Sequence, residues 1–139
     1  MSALARVAAR PTWLLSRANA RSQGLLADAF RAERVRGYHV RLLAALDQYG
    51  PASQADLGRR TGIDRSDVVA TLNELVGRGL ARRKPDLSDR RRNVVTLTKR
   101  GADVLERLDA VLDDVQNTVL APLTIGERET FVRLLTKLT

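Results

Sequence analysis

The sequence predicts a mainly α-helical protein with one small β-hairpin, and three observations support that class. Apolar residues recur at alternating spacings of three and four, as in Leu105, Leu108, Leu112, Val115 and Val119, the period of a helix face. Capping residues and Gly or Pro breaks divide the chain into helix-sized segments. Only residues 80–84 and 94–98 read as strands, around the polar loop 85–93. Aromatic residues make up 4% of the 139, so the core has to be built from Leu, Val and Ala, which suits helix packing. The length is enough for one domain with dimerising extensions.

The elements follow in order. Thr12 caps a helix over residues 12–30, with Trp13 in its first turn. The first 26 residues are Arg-rich and carry no acid, the composition of a transit peptide. Leu15, Ala18, Leu25, Leu26 and Ala29 nevertheless continue one helical face, so this is read as a structural helix, with the first ten residues loosely ordered. After a charged break at 31–36, residues 37–49 form a second helix with Val40, Leu43, Ala44 and Leu46 inward, ended by Gly50-Pro51. Ser53 with Asp56 opens a helix over 54–61, which stops at Thr61-Gly62. Asp64 with Asp67 caps the next, 65–77, whose buried stripe is Val68, Leu72, Leu75 and Val76. Two short helices joined by Thr-Gly-Ile have helix-turn-helix spacing, and the hairpin behind them is a wing. Thr98 opens a long helix to about residue 120, and Pro122 breaks it. Thr124 and Glu127 form a capping box for a last helix with Phe131, Leu134, Leu135 and Leu138 inward. The expected organisation is a single domain, 1–139. In it, dimerisation helices at 12–36 and 102–139 flank a winged helix-turn-helix at 37–101.

Charge placement points to the partner. The net charge is +8, yet residues 81–101 alone hold eight basic against two acidic groups, while residues 102–139 hold four against seven. Within the basic segment stands SDRRRNVVTLTKRG. Arg90, Arg91 and Arg92 repel one another in water, a cost offset when phosphates replace counterions. A helix-turn-helix followed by a wing reads double-stranded DNA: the second helix fits the major groove and the hairpin tip reaches the neighbouring backbone or minor groove. The alternative is a winged-helix protein-interaction module without specific DNA binding, against which the triple arginine argues. Zero cysteines exclude disulfides and thiolate chemistry, and one histidine excludes a histidine metal cluster. With no nucleophile–base set and no phosphate-cradling Gly loop, neither an enzyme nor a cofactor is expected. No apolar run approaches a membrane span, and a cytoplasmic location is expected.

Two segments carry a resemblance. In the wing, Asp89, Arg91, Val95, Leu97 and Thr98, with Gly101 in register, follow the pattern of the MarR family of bacterial transcriptional regulators; Leu75-Val-Gly-Arg-Gly-Leu80 resembles that family's exit from the recognition helix. The order of elements agrees over nearly the whole chain. The resemblance implies a homodimer formed through the terminal helices, a repressor on a pseudo-palindromic operator, and release by a small aromatic or lipophilic anion. It also implies that Trp13 and His39 lie on helices bordering the effector cavity. The plain alternatives are a core or dimer anchor for Trp13 and an inter-helix hydrogen bond for His39.

The sequence departs from the family at Val69 and Ala70, where a hydroxyl residue followed by Arg is common. That leaves Arg65, Ser66, Asp67 and Thr71 as candidates to read base edges, with capping the preferred role of Asp67. Arg91 is the expected minor-groove or phosphate contact, oriented by Asp89 through a charge-assisted pair. Arg90 and Arg92 are candidate DNA contacts as well, weighed evenly against a solvated charge because successive hairpin residues point opposite ways. Gln54 is a further candidate phosphate contact.

Overall fold

A computed structural model describes residues 3–139 of the protein. In chain order it has a 3-10 turn at Ala3–Arg6, then α1 (Pro11–Ala32), α2 (Gly37–Tyr49), β1 (Ala52–Ser53), α3 (Gln54–Thr61) and α4 (Arg65–Gly77). β2 (Ala81–Pro85), β3 (Asn93–Leu97), α5 (Lys99–Val119) and α6 (Ile125–Lys137) follow. The chain divides into two compact units, Phe30–Ala110 and the remainder, with both divisions inside helices, α1 and α5. Among the described residues no helix is long and apolar enough to cross a membrane. Of the ten residues expected to be loosely ordered, 3–6 form the 3-10 turn and the first two lie outside the described residues.

The Phe30–Ala110 unit has a closed core. Leu42, Leu43 and Leu46 of α2, Leu57 of α3, and Val68, Leu72 and Leu75 of α4 meet Leu80, Val95 and Leu105. Each such side chain stabilises the fold by roughly 1.5–3 kcal/mol on burial. The phase of α2 differs from the expected one. His39, Leu42 and Ala45 are buried, whereas Val40 is half-buried and Ala44 exposed, a rotation of about one residue that apolar spacing alone does not settle. Val76 is likewise only half-buried.

The hairpin is part of a three-stranded antiparallel sheet in the order β1-β3-β2. Ala52 pairs with Val95 and Ser53 with Val94, while β2 pairs with β3 from Ala81↔Leu97 to Pro85↔Asn93. The two-residue β1 was not expected. It ties the start of α3 to the wing, because Ser53 both pairs with β3 and caps α3 by accepting the Asp56 N–H at 3.1 Å.

Caps explain most boundaries. The Thr98 hydroxyl accepts the Gly101 N–H at 3.0 Å and donates to the Gly79 carbonyl at 2.6 Å. It thereby starts α5 against the turn that ends α4. Two expected caps differ. α1 begins at Pro11, whose ring suits a first helical turn, and Asp64 stands at the N-cap of α4 without a side-chain bond. Gly62 adopts the left-handed conformation, φ 70°, between α3 and α4, where a Cβ would add strain. Gly101 matters for space: a Cβ there would overlap the Leu80 carbonyl.

In the other unit, Arg21 donates to the last carbonyls of α5, Val119 at 3.0 Å and Thr118 at 3.2 Å. Thr124 and Glu127 form the expected reciprocal capping box at 3.2 and 2.9 Å. Its hydrogen bonds hold the Glu127 carboxyl below the usual range. Phe131 and Leu135 are half-buried, but Leu134 and Leu138, expected inward, are exposed, as are Ile125 and Val132. Neither α1 nor α6 has a fully buried residue.

Candidate nucleic-acid interface

The reading head is α3, the Gly62 turn and α4. Buried Val68, Thr71, Leu72 and Leu75 occupy one stripe of α4, the i, i+3, i+4, i+7 face. Thr71 is only 1% exposed, with no hydrogen-bond partner for its Oγ1 among the described residues. It therefore cannot reach a base edge, which corrects its expected role: the helix phase that buries Leu72 and Leu75 also buries Thr71. Arg65 and Ser66 are exposed at the start of α4 and Asp67 is half-buried. The same phase turns Ala70 and Asn73 outward. Asn73 was missed, although counting seven residues on from Ser66 along the helix identifies it.

The wing tip is braced by two carboxylates. Asp89 Oδ1 accepts the backbone N–H of Arg91 at 3.1 Å and its Nε–H at 3.2 Å. Those bonds hold the Asp89 carboxyl below the usual range and orient the guanidinium. Arg91 is 91% exposed, and its terminal nitrogens make no bond among the described residues. Asp86, not singled out in the sequence, accepts from the Ser88 N–H at 2.9 Å and hydroxyl at 2.7 Å, which lowers its pKa as well. Its own N–H donates to the Arg92 carbonyl at 2.8 Å. Arg92 Nε lies 4.0 Å from the Asp86 carboxylate, while Arg90 is exposed. Both acids shape the loop, while the three arginines and Leu87 are exposed on it.

A groove of about 720 Å³ runs where the starts of α3 and α4 face the tip loop of the wing and the first residue of β3. It brings together Gln54, Arg65, Arg91 and Arg92 from the expected set, and adds Arg59, whose guanidinium pairs with Asp56. Ser66, Asp67 and Arg90 do not line it. Four arginines against Asp56 and Asp64 leave the groove positive, and the N-terminus of α4 adds its partial positive charge. Such a surface is suited to phosphodiester; Arg65 lines it, and Ser66, the next residue of α4, is exposed.

His39 is buried between α2 and α4. Its Nδ1 accepts the Arg36 N–H at 2.9 Å and its Nε2 lies 2.5 Å from Glu74 Oε2. Arg36 Nη2 donates to both oxygens of the same carboxylate at 2.9 and 2.7 Å. Burial, the largest cause, lowers the His39 pKa, and the hydrogen bond from His39 lowers that of Glu74. Both ring nitrogens are thus engaged, leaving none for a small molecule. Trp13 is half-buried on the α1 portion of the other unit.

Residues 35–92 match the sequence pattern of the MarR family. The HTH-type transcriptional repressor NicR of Pseudomonas putida is 33% identical over 96 residues, 69% of this chain and 61% of NicR. The chain therefore spans about three-fifths of that relative's length. A probable transcriptional regulator from Pseudomonas aeruginosa superposes with a TM-score of 0.83 at 32% identity, covering 96% of this chain and 99% of that one. BpsR of Bordetella bronchiseptica, whose DNA binding is regulated by 6-hydroxynicotinic acid, gives a TM-score of 0.80 at 26% identity, over 95% and 94%.

Proposed function

The chain belongs to the MarR family, and from that premise we propose that it is a DNA-binding transcriptional repressor acting as a homodimer on a pseudo-palindromic operator. The observation that supports this most directly is the positive groove joining Arg65 of α4 to Arg91 and Arg92 of the wing. Arg65 and Ser66 enter the major groove and contact base edges, while Arg91 meets phosphate or a narrow minor groove. Gln54, at the first position of α3, and Arg92 hold the backbone between them. Arg90 adds a diffuse charge, and Asp67 serves the helix start.

The test is fluorescence anisotropy with duplexes selected from a random pool by the unaltered protein, titrated against scrambled competitor. Selected duplex should bind at least ~10³-fold more tightly than scrambled duplex. Equal binding to both, or none, overturns the reading and favours a protein-interaction module.

A small aromatic acid as effector is the second part of the proposal, supported by the regulation of BpsR by 6-hydroxynicotinic acid. Such a ligand must favour the DNA-free state by roughly 1–3 kcal/mol to act as an inducer. Trp13 is the only tryptophan. Its emission, followed during titration with 6-hydroxynicotinate or salicylate, should change in step with release of the duplex. A panel of aromatic acids that moves neither signal makes the repressor ligand-independent.

A further inference from the structure

The stretch Ala81-Arg82-Arg83-Lys84 of β2 carries three positive charges in a row, and the strand alternation divides them. Arg82 and Lys84 are exposed, whereas Arg83 pairs with the fully buried Val95 and so lies on the inner face of the hairpin. From there it reaches the recognition helix: Arg83 Nη1 donates to Asn73 Oδ1 at 2.9 Å. Its Nε and Nη2 are closed off from solvent with no partner among the described residues. Holding a guanidinium so poorly satisfied costs stability, and an exposed position for it would have been easy to provide.

The position of this contact along the hairpin is informative. The next inner-face pair, Pro85 and Asn93, is exposed on both strands, so Arg83 is the outermost inward-facing side chain before the tip. Beyond it only the Ser53–Val94 pair still ties the hairpin to β1, and the rest of the wing acts as a lever. A strand advances about 3.3 Å per residue, so a hinge of roughly 10° at Arg83 shifts the tip by about 2 Å. A hydrogen bond to phosphate tolerates only a few tenths of an ångström.

We infer that Arg83, through Asn73, is a positioning residue that fixes the angle of the wing against the recognition helix, so that Arg91 and the α4 side chains engage one duplex together. The inference rests on the DNA-binding reading but assigns Arg83 no contact with DNA. Asn73 is exposed on the outward face of α4, so a single residue belongs to both surfaces.

The experiment is a thermodynamic cycle of Arg83→Met with Arg91→Ala, read by anisotropy on a duplex selected from a random pool by the unaltered protein, at several salt concentrations. Arg83→Met keeps the apolar stem and removes the fork. The variant should bind about 10-fold more weakly with an unchanged slope of log affinity against log salt, because no phosphate contact is removed. In the Arg91→Ala background the same change should cost less than about 2-fold, since the tip has then lost the contact being positioned. Asn73→Ala should reproduce both results. Full additivity with Arg91→Ala, or a slope lowered by about one in Arg83→Met, makes Arg83 a direct contact and overturns the inference. Unchanged binding by Arg83→Met overturns it too, while leaving the DNA reading intact. If the unaltered protein retains no duplex from the pool, the DNA reading falls and this inference with it.

Discussion

The imidazole of His39 can make its two hydrogen bonds only as the neutral ring, because Nδ1 must keep a lone pair to accept the Arg36 N–H while Nε2–H donates to Glu74. Protonation at Nδ1 breaks the first of these. The folded-state pKa lies below the ordinary 6.5, so on acidification the unfolded chain takes up the proton first. Stability is therefore full above about 6.5 and falls as pH drops through that value toward the folded pKa. Glu74, lowered from 4.5, adds a further loss below its own ordinary range. Melting temperature measured between pH 8 and pH 5 should be flat and then decline, and His39→Gln should flatten the decline. The wing offers a second residue-scale prediction. Arg91→Ala should weaken binding to all duplexes and lower the salt slope by about one unit. Asp89→Ala, which frees the guanidinium without removing it, should give a milder loss at an unchanged slope. A third concerns Thr71. Its buried hydroxyl has no partner among the described residues, so Thr71→Val should raise stability by about 1 kcal/mol and leave DNA affinity unaltered, as thermal melts and anisotropy would measure; lost sequence preference would return Thr71 to the base-reading set. The wing motif at Asp89 and Arg91 was legible because its chemistry is local. Thr71, Asn73 and Arg83 were misread or missed because facing depends on phase: one residue along α4, or one step along β2, exchanges core for surface.

At the scale of elements, α2, α3 and α4 could be bounded from sequence, since Gly50-Pro51, Ser53 and Thr61-Gly62 act on their immediate neighbours. β1 could not. Ala52–Ser53 has no periodicity of its own, and it is a strand only because Val94 and Val95, some forty residues on, pair with it. The start of α5 combines both kinds of information. Thr98 announces the cap, but the reason for Gly101 lies in a distant contact: its Cα side faces the Leu80 carbonyl, where a Cβ would stand 2.0 Å from the oxygen. Because that neighbour is backbone at the foot of β2, relief requires α5 to move away from the wing. Gly101→Ala should therefore cost on the order of 1–3 kcal/mol despite the better helix propensity of alanine. Gly126→Ala is the matched control on α6, where, among the described residues, nothing beyond its own stretch of helix lies within 4 Å of the added carbon. Comparing their urea midpoints checks the argument: equal midpoints would show that the first turn of α5 yields without loss.

Across the whole molecule, apolar exposure is unevenly divided. The Phe30–Ala110 unit encloses its core, whereas the unit formed by the terminal segments leaves Leu14, Leu15, Ile125, Val132, Leu134 and Leu138 exposed. Leu138 is 71% exposed and Ile125 77%; Ile125 opens α6, which Thr124 and Glu127 cap, and Leu138 is the residue just past its end. An exposed apolar set of this kind is suited to a second copy, and a two-fold interface buries each residue twice. Such association would gain roughly 3–6 kcal/mol per position from the two copies together, enough to move a dissociation constant by two to four orders of magnitude. Leu138→Glu and Leu134→Glu lie on surface that the single chain does not bury, so each variant should keep its helical signal while sedimenting as monomer at micromolar concentration. Leu112→Glu, at a half-buried seam position on α5, should do the same at some cost in stability. The consequence for DNA is steep, because half-sites one helical turn apart need both reading heads. A monomeric variant holds one half-site at a time, so its preference for an inverted repeat over a single half-site should vanish. If the unaltered protein sediments as a monomer while still preferring the inverted repeat, the terminal helices are not what joins the copies, and pairing arises only on the DNA.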